Sequence, residues 1–350
     1  MSDPAFRVGL LGWGNAGRFF HAPLIHAVPG LELATVVTSR SGVQEQYPGV
    51  RVAATMDSVL NDATIDLVVI ATPHKLHAPH AQAALAAGKH VVVEKPLATS
   101  AAQAETLIAE SHAANRLLVA YHNRRWDGDF MTVQKLVASG LLGDLYAYES
   151  HWPLYRPTLR GVWRENPDDL GGALYDLGPH MIDQVLVLFG KPQSVYAEIA
   201  THRAGCQVDD FFRLHLRFPS DLSAILIVDM MAPIAGPRFH LRGTLGSFEK
   251  RGLDPQEAAL RAGRMPAGED WGVEPPAAWG RLCMRDLAGL AFDGQIATVP
   301  GDYRQFYRGV YEALCGNGPP PVDPQDAALQ LRIIEAALES ARSGSVQPIA

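Results

Sequence analysis

Cysteine is scarce in this chain: 350 residues contain three, Cys206, Cys283 and Cys315, far apart and without a CxxC or CxxH pattern. That excludes a disulfide scaffold and a cysteine-based zinc site, and it suits a reducing compartment. Positive charge is also in short supply. Lys and Arg number 30 against 37 Asp and Glu, a net charge of −7 with a pI near 6.0. Nucleic acid or an anionic membrane would call for a basic surface, so neither is expected as a partner. No apolar run approaches the ~18 residues that a membrane helix needs. Met1–Arg7 is short and acidic ahead of the first strand, unlike a secretory signal, and the cytoplasm is the expected location. Internal repeats and low-complexity tracts are absent as well. What is present is apolar bulk, 47% against 19% charged residues, enough for a sizeable core. At roughly 150 residues each, the length accommodates two domains.

The run Val91-Val92-Val93 ends abruptly in Glu94-Lys95-Pro96-Leu97. β-Branched apolar residues read as a buried strand. Its polar end then falls at the carboxyl edge of a parallel sheet, where open α/β folds bind ligands. The chemistry is placed on Lys95 at that edge.

Phe6–Leu11 is a short apolar strand followed directly by Gly12-Trp13-Gly14-Asn15-Ala16-Gly17. Gly12 allows a tight turn, Gly14 lets backbone approach a pyrophosphate, and Gly17 lets helix pack close on strand. The helix amino terminus offers N–H groups and a positive dipole end to the phosphates. Leu31–Thr38 is a second strand, and its end selects the cofactor. An NAD-preferring site usually carries a carboxylate there for the ribose 2′-hydroxyl. This chain has Ser39-Arg40 instead, a hydroxyl and a guanidinium fork that suit a 2′-phosphate. NADP(H) is expected over NAD(H), although an Arg40 stacked on adenine would accept either.

Strands at Asp66–Ala71, His90–Glu94 and Leu117–Tyr121 alternate with helices at Ala78–Gly88 and Ala101–Asn115. The alternation predicts a Rossmann-type doubly wound parallel sheet, a dinucleotide-binding domain over residues 1–121. Thr72-Pro73 follows a strand end and should line the nicotinamide side, and Asn123 follows the last strand into the same crevice. His74, His77 and His80 recur every three residues, but a helix beginning near Pro79 gives them no common face, and no carboxylate or cysteine joins them. A metal is not expected; His77 reads as a positioning residue near the cofactor.

Residues 122–350 form the second expected domain, α+β, built on a large open, mostly antiparallel sheet that binds substrate. Asp129–Ser139 reads as a helix, and Leu145–Trp152, Ser194–Ala200, Phe211–Phe218, Ser223–Met231 and Phe239–Arg242 as strands. The loop from Tyr155-Arg156-Pro157 to Trp163-Arg164 is rich in rings and guanidinium groups. Residues 261–301 are poorly patterned and read as a surface excursion or a substrate-side loop. Helices close the chain at Arg304–Cys315 and Pro324–Arg342, the latter with an apolar stripe that reads as core.

Four segments together resemble the Gfo/Idh/MocA family of NAD(P)-dependent oxidoreductases: the glycine loop at 12–17; Ala71-Thr72-Pro73 with His77; Ala87-Gly88-Lys89-His90 running into Glu94-Lys95-Pro96; and Tyr175-Asp176-Leu177-Gly178-Pro179-His180. Gly17–Ile25 and Asn123–Phe130 further resemble the branch of NADP-dependent scyllo-inositol dehydrogenases, which also favours NADP(H). The resemblance implies a cis peptide at Lys95-Pro96 and a homodimer or homotetramer assembled through the free face of the second sheet. It also implies interconversion of a secondary alcohol and a ketone on a polyol, cyclitol or sugar.

Within that reading His180 takes the hydroxyl proton as general base, an imidazole near neutral pKa being suited to the task. Asp176, four residues earlier and expected on the same helix face, orients it. Lys95 stabilises charge on the same oxygen, and whether it or His180 ionises stays open. Glu94 lies at the cofactor edge. Substrate contacts are expected from Lys95, Arg124, Trp126, Tyr155, Arg156, Trp163, Asp176 and His180, since rings beside guanidinium groups suit a sugar-like face. Pro153-Leu154 departs from the branch where a charged residue is expected after the aromatic at 152, so substrate choice is set apart from the chemistry. The rival readings are a non-catalytic NADP-binding regulator, opposed by the retained Lys95, Asp176 and His180, and an NAD-dependent glycosidase, opposed by Ser39-Arg40.

Overall fold

The computed structural model describes residues 5–234 and 236–350. Two compact units interleave along the chain: residues up to Asn123 with Gln256–Trp271 and Asp302–Ala328, and Arg124–Pro255 with Gly272–Gly301 and Leu329–Ala350.

The first unit holds six strands, β1 (Phe6–Leu11), β2 (Leu31–Val37), β3 (Arg51–Ala53), β4 (Leu67–Ile70), β5 (His90–Glu94) and β6 (Leu118–Tyr121). All pair in parallel, in the order β3-β2-β1-β4-β5-β6. Leu67–Ile70 and Val91–Val93 are fully buried, as expected when helices cover both faces of a parallel sheet. The strand order reverses between β1 and β4, the switch point at which doubly wound sheets bind ligands. Alternation along the chain stops at Tyr121, yet helix Arg304–Leu314 belongs to this unit too. Its Phe306 meets the Tyr121 ring edge-on at 4.7 Å, and its buried Tyr307 hydroxyl lies 2.6 Å from His21 Nδ1. Apolar burial thus recruits a segment that the order of elements does not announce.

The second unit is built on β7 (Leu145–Trp152), β8 (Ser194–Ala200), β9 (Phe211–Arg217), β10 (Ser223–Asp229), β11 (Phe239–Gly243), β12 (Gly246–Lys250), β13 (Gly280–Arg285), β14 (Ala291–Ile296) and β15 (Gln347–Pro348). Their order is β14-β13-β12-β11-β7-β10-β9-β8-β15. Among the described residues only β7 and β10 pair in parallel, so the sheet is mostly antiparallel. Alternation decides its faces: Phe212, Leu214 and Leu216 are buried on one side while Arg213 and Arg217 are exposed on the other. Helix Gly178–Phe189 packs against β10, and Ser340 Oγ accepts a hydrogen bond from Ala197 N.

The expectation of a surface excursion or substrate-side loop at 261–301 is corrected in part here. Residues 280–296 form the β13–β14 hairpin at the sheet's edge. An edge strand buries little, so its sequence shows no clean apolar alternation; Ala291, Phe292 and Asp293 are all exposed. Ladder hydrogen bonds and a two-pronged Arg281–Asp293 pair at 2.7 and 2.8 Å hold it instead. Among the described residues, no helix is long and apolar enough to cross a membrane.

Candidate active site

Because the six strands of the first unit run in parallel, the segments that follow them share one edge. The glycine loop follows β1, Ser39-Arg40 follows β2, Thr72-Pro73 follows β4, Glu94-Lys95 closes β5, and Asn123 follows β6. Gly12 has φ +106°, and a Cβ there would sit 2.5 Å from the Ala71 carbonyl oxygen, so only glycine fits this crossing of β1 and β4. At Gly17 a Cβ would meet Gly12 O at 2.1 Å. Gly14 is the opposite case, with nothing within 4 Å of an ideal Cβ. The loop is closed where helix meets strand and open where a pyrophosphate must approach, which fits a dinucleotide. Trp13 buries its indole, edge-on to Tyr47 at 6.1 Å, while Asn15 is exposed. Burial pushes the Tyr47 phenol up to about 12. Ser39 and Arg40 are exposed, with Arg40 N donating to Thr38 Oγ1 at 3.0 Å.

Two buried histidines brace this edge. His77 places Nδ1 2.7 Å from Pro96 O and Nε2 2.9 Å from Thr72 O, bracketing the chain just beyond β4 and β5. Burial holds its pKa below the ordinary value despite the two carbonyls, and a neutral ring donates to one of them at a time. His21 spans Tyr307 and the Glu94 carboxylate, with Nε2 3.2 Å from Oε1. The other Glu94 oxygen accepts from Lys95 N at 3.1 Å. Burial works to raise the Glu94 pKa, but the hydrogen bond and charge of His21, with the charge of Lys95, outweigh it and leave the carboxyl below its usual range. Lys95 itself is buried, and its bond to Pro96 is cis. His21 and Tyr307 were not singled out in the sequence; Gly17–Ile25 carried a family likeness but nothing that assigned the histidine a partner.

The second unit gathers the other group. Asp176 ends the short helix Ala173–Asp176, and His180 lies in the first turn of helix Gly178–Phe189. The expectation that both ride one helix face is corrected: Leu177, at φ −109°, separates the two helices. His180 stacks on Trp152, with ring centroids 5.7 Å apart and planes 21° apart. The same indole lies under the guanidinium groups of Arg124, at 4.6 Å, and Arg238, at 5.0 Å. Arg238 is fully buried and donates to Ser150 Oγ at 2.7 Å and Gln184 Oε1 at 2.8 Å. Gln184 Nε2 in turn donates to Arg124 O at 3.1 Å. Trp152 is therefore a platform fixed by residues far apart in sequence, and Arg238 and Gln184 carried no local signal.

Asp176 Oδ1 accepts from Arg164 Nε at 3.0 Å, and Arg164 lies over the Trp163 ring at 4.4 Å. Arg156 N donates to Met230 O at 2.8 Å, tying the loop to the end of β10. Arg156, Arg164 and Asp176 line a common pocket open to solvent, and neither Tyr155 nor Trp163 is part of its wall. Tyr155 is 53% exposed and Trp126 half-buried. Asp209, also in the wall, caps the helix that ends in Asp176: its Oδ2 accepts from Leu174 N at 2.7 Å. Burial pushes the Asp209 carboxyl up to about 6. Gly172, at φ +112°, leaves room for that cap, since a Cβ would fall 2.1 Å from Asp209 Oδ1.

A doubly wound unit with its glycine loop at the switch point, joined in one chain to a mixed-sheet unit bearing an Asp/His pair, defines a nicotinamide-dependent oxidoreductase. The chain belongs to the Gfo/Idh/MocA family. Residues 6–122 match the oxidoreductase family's NAD-binding Rossmann fold, and residues 134–350 match its C-terminal alpha/beta domain. The chain is 41% identical to the uncharacterised oxidoreductase YdgJ of Escherichia coli (strain K12), over 98% of each protein. It is 39% identical to IolW of Bacillus subtilis (strain 168), a scyllo-inositol 2-dehydrogenase (NADP(+)), over 96% of this chain and 94% of that one. A solved structure of an oxidoreductase from Bacillus cereus superposes with a TM-score of 0.90 at 31% identity, covering 99% of both chains.

Proposed function

We propose that the chain is an NADP(H)-dependent dehydrogenase or reductase interconverting a secondary alcohol and a ketone on a polyol, cyclitol or sugar. The observation that carries the cofactor choice is the exposed Ser39-Arg40 turn after β2, which contains a guanidinium and no carboxylate. The name of IolW as an NADP(+)-linked inositol dehydrogenase supports the same choice and the substrate class.

Gly12 to Gly17 would hold the pyrophosphate, Ser39 and Arg40 the 2′-phosphate, and Thr72, Pro73, Glu94 and Asn123 the nicotinamide side, with His77 bracing the edge. Bound NADP(H) supplies the hydride acceptor and donor. The chain must hold the carbinol carbon and move one proton. His180 accepts the hydroxyl proton, its ring held in plane by Trp152. Asp176 favours the charged imidazole, and Lys95 stabilises negative charge on the oxygen. Arg124, Trp126, Tyr155, Arg156 and Trp163 are assigned to substrate. We further propose a cytoplasmic location and a homo-oligomer assembled through the exposed face of the second sheet.

The test is NADP⁺ reduction followed by NADPH fluorescence across inositols, aldoses and simple polyols, repeated with NAD⁺. Free NADPH is expected to accumulate with at least one polyol, and NAD⁺ to be the poorer acceptor by about tenfold or more. No NADPH with any of these substrates, while NADP⁺ still binds, would leave the chain a nucleotide-binding protein without this activity.

A further inference from the structure

We propose that the arginine-lined cavity of the second unit receives an anionic group, a carboxylate or a phosphate, carried by the polyol. This rests on the oxidoreductase reading above and narrows its substrate class to polyols that carry a negative charge.

The wall of the pocket is rich in charge of both signs, with guanidinium groups in excess by one. Four guanidinium groups, those of Arg156, Arg160, Arg164 and Arg203, line it, against the carboxylates of Glu165, Asp176 and Asp209. Arginine only donates, and every one of these carboxylates is already accepting from the protein. Glu165 Oε2 takes the backbone N–H of Arg160 at 2.8 Å and of Gly161 at 2.9 Å, and Oε1 takes Arg203 Nη1 at 3.1 Å. Asp176 takes Arg164, and Asp209 takes Leu174 N. Arg203 is shared further with Asp210 at 3.1 Å. The side chain of Arg160 is exposed and makes no hydrogen bond or ion pair among the described residues.

A surface built for bare hydroxyl groups offers acceptors as well as donors, because each hydroxyl does both. Here Arg164 and Arg203 are neutralised by Asp176, Glu165 and Asp210, which leaves the Arg160 guanidinium as the uncompensated donor. Such a fork grips best a planar or tripodal group that only accepts. The loop backbone that carries these side chains is tied at three points: Arg156 N is bonded to Met230 O, Arg160 N to Glu165, and Arg164 O accepts from Gly172 N at 2.9 Å.

The experiment compares kcat/KM for NADP⁺ reduction across matched alcohols: neutral myo-inositol and D-glucitol, the carboxylates D-gluconate and D-glucuronate, and the phosphate myo-inositol 1-phosphate. At least one anionic substrate is expected to exceed its neutral counterpart by about tenfold, the weight of one charge-assisted hydrogen bond. Arg160→Gln is expected to cut that anionic-to-neutral ratio by about the same factor, and Arg160→Lys to recover part of it. The carboxylate and phosphate arms separate the two sources of negative charge. A neutral substrate preferred by both wild type and Arg160→Gln, with an unchanged ratio, overturns the proposal and leaves the dehydrogenase standing. If no alcohol of either kind is oxidised, the dehydrogenase reading falls instead, and the cavity is then judged by thermal shift alone. Stabilisation by gluconate or by myo-inositol 1-phosphate over glucitol, lost in Arg160→Gln, supports it; an identical response in the variant overturns it.

Discussion

The two units hold their candidate groups by different means. In the first, the ligand edge is made of backbone: Gly12 at a positive φ, open space at Gly14, and strand ends aligned by a parallel sheet. In the second it is made of long side chains converging from distant elements, with Arg124, Arg238 and His180 meeting on Trp152. A backbone cradle tolerates little substitution. A side-chain platform can be rebuilt residue by residue, so this is where substrate choice can drift while the chemistry is kept.

The largest effect that would break this contrast is expected at His180. Replacing it with Ala should lower kcat by about 10²–10⁴-fold if it is the proton acceptor, with NADP⁺ affinity unaltered because the first unit is untouched. Steady-state rates and a fluorescence titration with NADP⁺ measure the two separately. An unchanged kcat removes His180 from the scheme and moves the proton to Lys95.

The next effect is on stability and belongs to the second unit alone. Asp209 is ordinarily ionised with a pKa of 3.8, but burial pushes it up to about 6 in the folded chain. A raised folded value means that the group's contribution is fully present below pH 3.8 and lost as pH rises through about 6. A shift of roughly two units corresponds to about 3 kcal/mol. Denaturant unfolding at pH 4 and pH 7.5 should therefore show wild type losing more stability on the way up than Asp209→Asn, by up to that amount. Parallel pH profiles would show that Asp209 is not buried as a carboxylate.

The same contrast explains what could be read from residue order. Gly12, Gly14 and Gly17 are legible because a tight turn, an open approach and a helix–strand contact each demand glycine at a fixed spacing. Val91–Glu94 is legible because a doubly covered strand must be apolar. Arg238 and Gln184 were not, since 54 residues separate two side chains that share one hydrogen bond and no period connects them. The four-residue spacing of Asp176 and His180 was misread as one helix because nothing in the local pattern marks the break at Leu177. Strand β14 escaped for another reason: at the sheet edge its residues face water, and the period-two signal that betrays buried strands is erased.

A sharper version of the comparison changes the first unit without touching the second. Arg40→Asp replaces the guanidinium by a carboxylate at the end of β2, removing a donor for the 2′-phosphate and adding one acceptor for a ribose hydroxyl. The preference for NADP⁺ over NAD⁺, as a ratio of kcat/KM values with one alcohol substrate, should fall by about 10- to 100-fold. An unchanged ratio would mean that Arg40 only stacks on adenine.

The smallest effect tests whether the backbone cradle is as self-sufficient as it looks. Tyr307 comes from a helix more than 200 residues beyond the Glu94 strand, yet its hydroxyl sits 2.6 Å from His21, which in turn reaches the Glu94 carboxylate. Tyr307→Phe keeps the ring that packs on Tyr121 and deletes one hydrogen bond, so stability should fall by only about 1 kcal/mol. The pH dependence is more telling than the size. Glu94 is held below its usual pKa in the folded chain, so its contribution is present above the unfolded value and lost as pH falls through the folded one. If Tyr307 fixes the orientation in which His21 supports Glu94, the variant's deficit in unfolding free energy should be larger at pH 7 than at pH 4, with a matching loss of NADP⁺ affinity at pH 7. A deficit equal at both values would assign Tyr307 to packing alone, and the cofactor edge would then depend on its glycines and strand ends without support from the later helix.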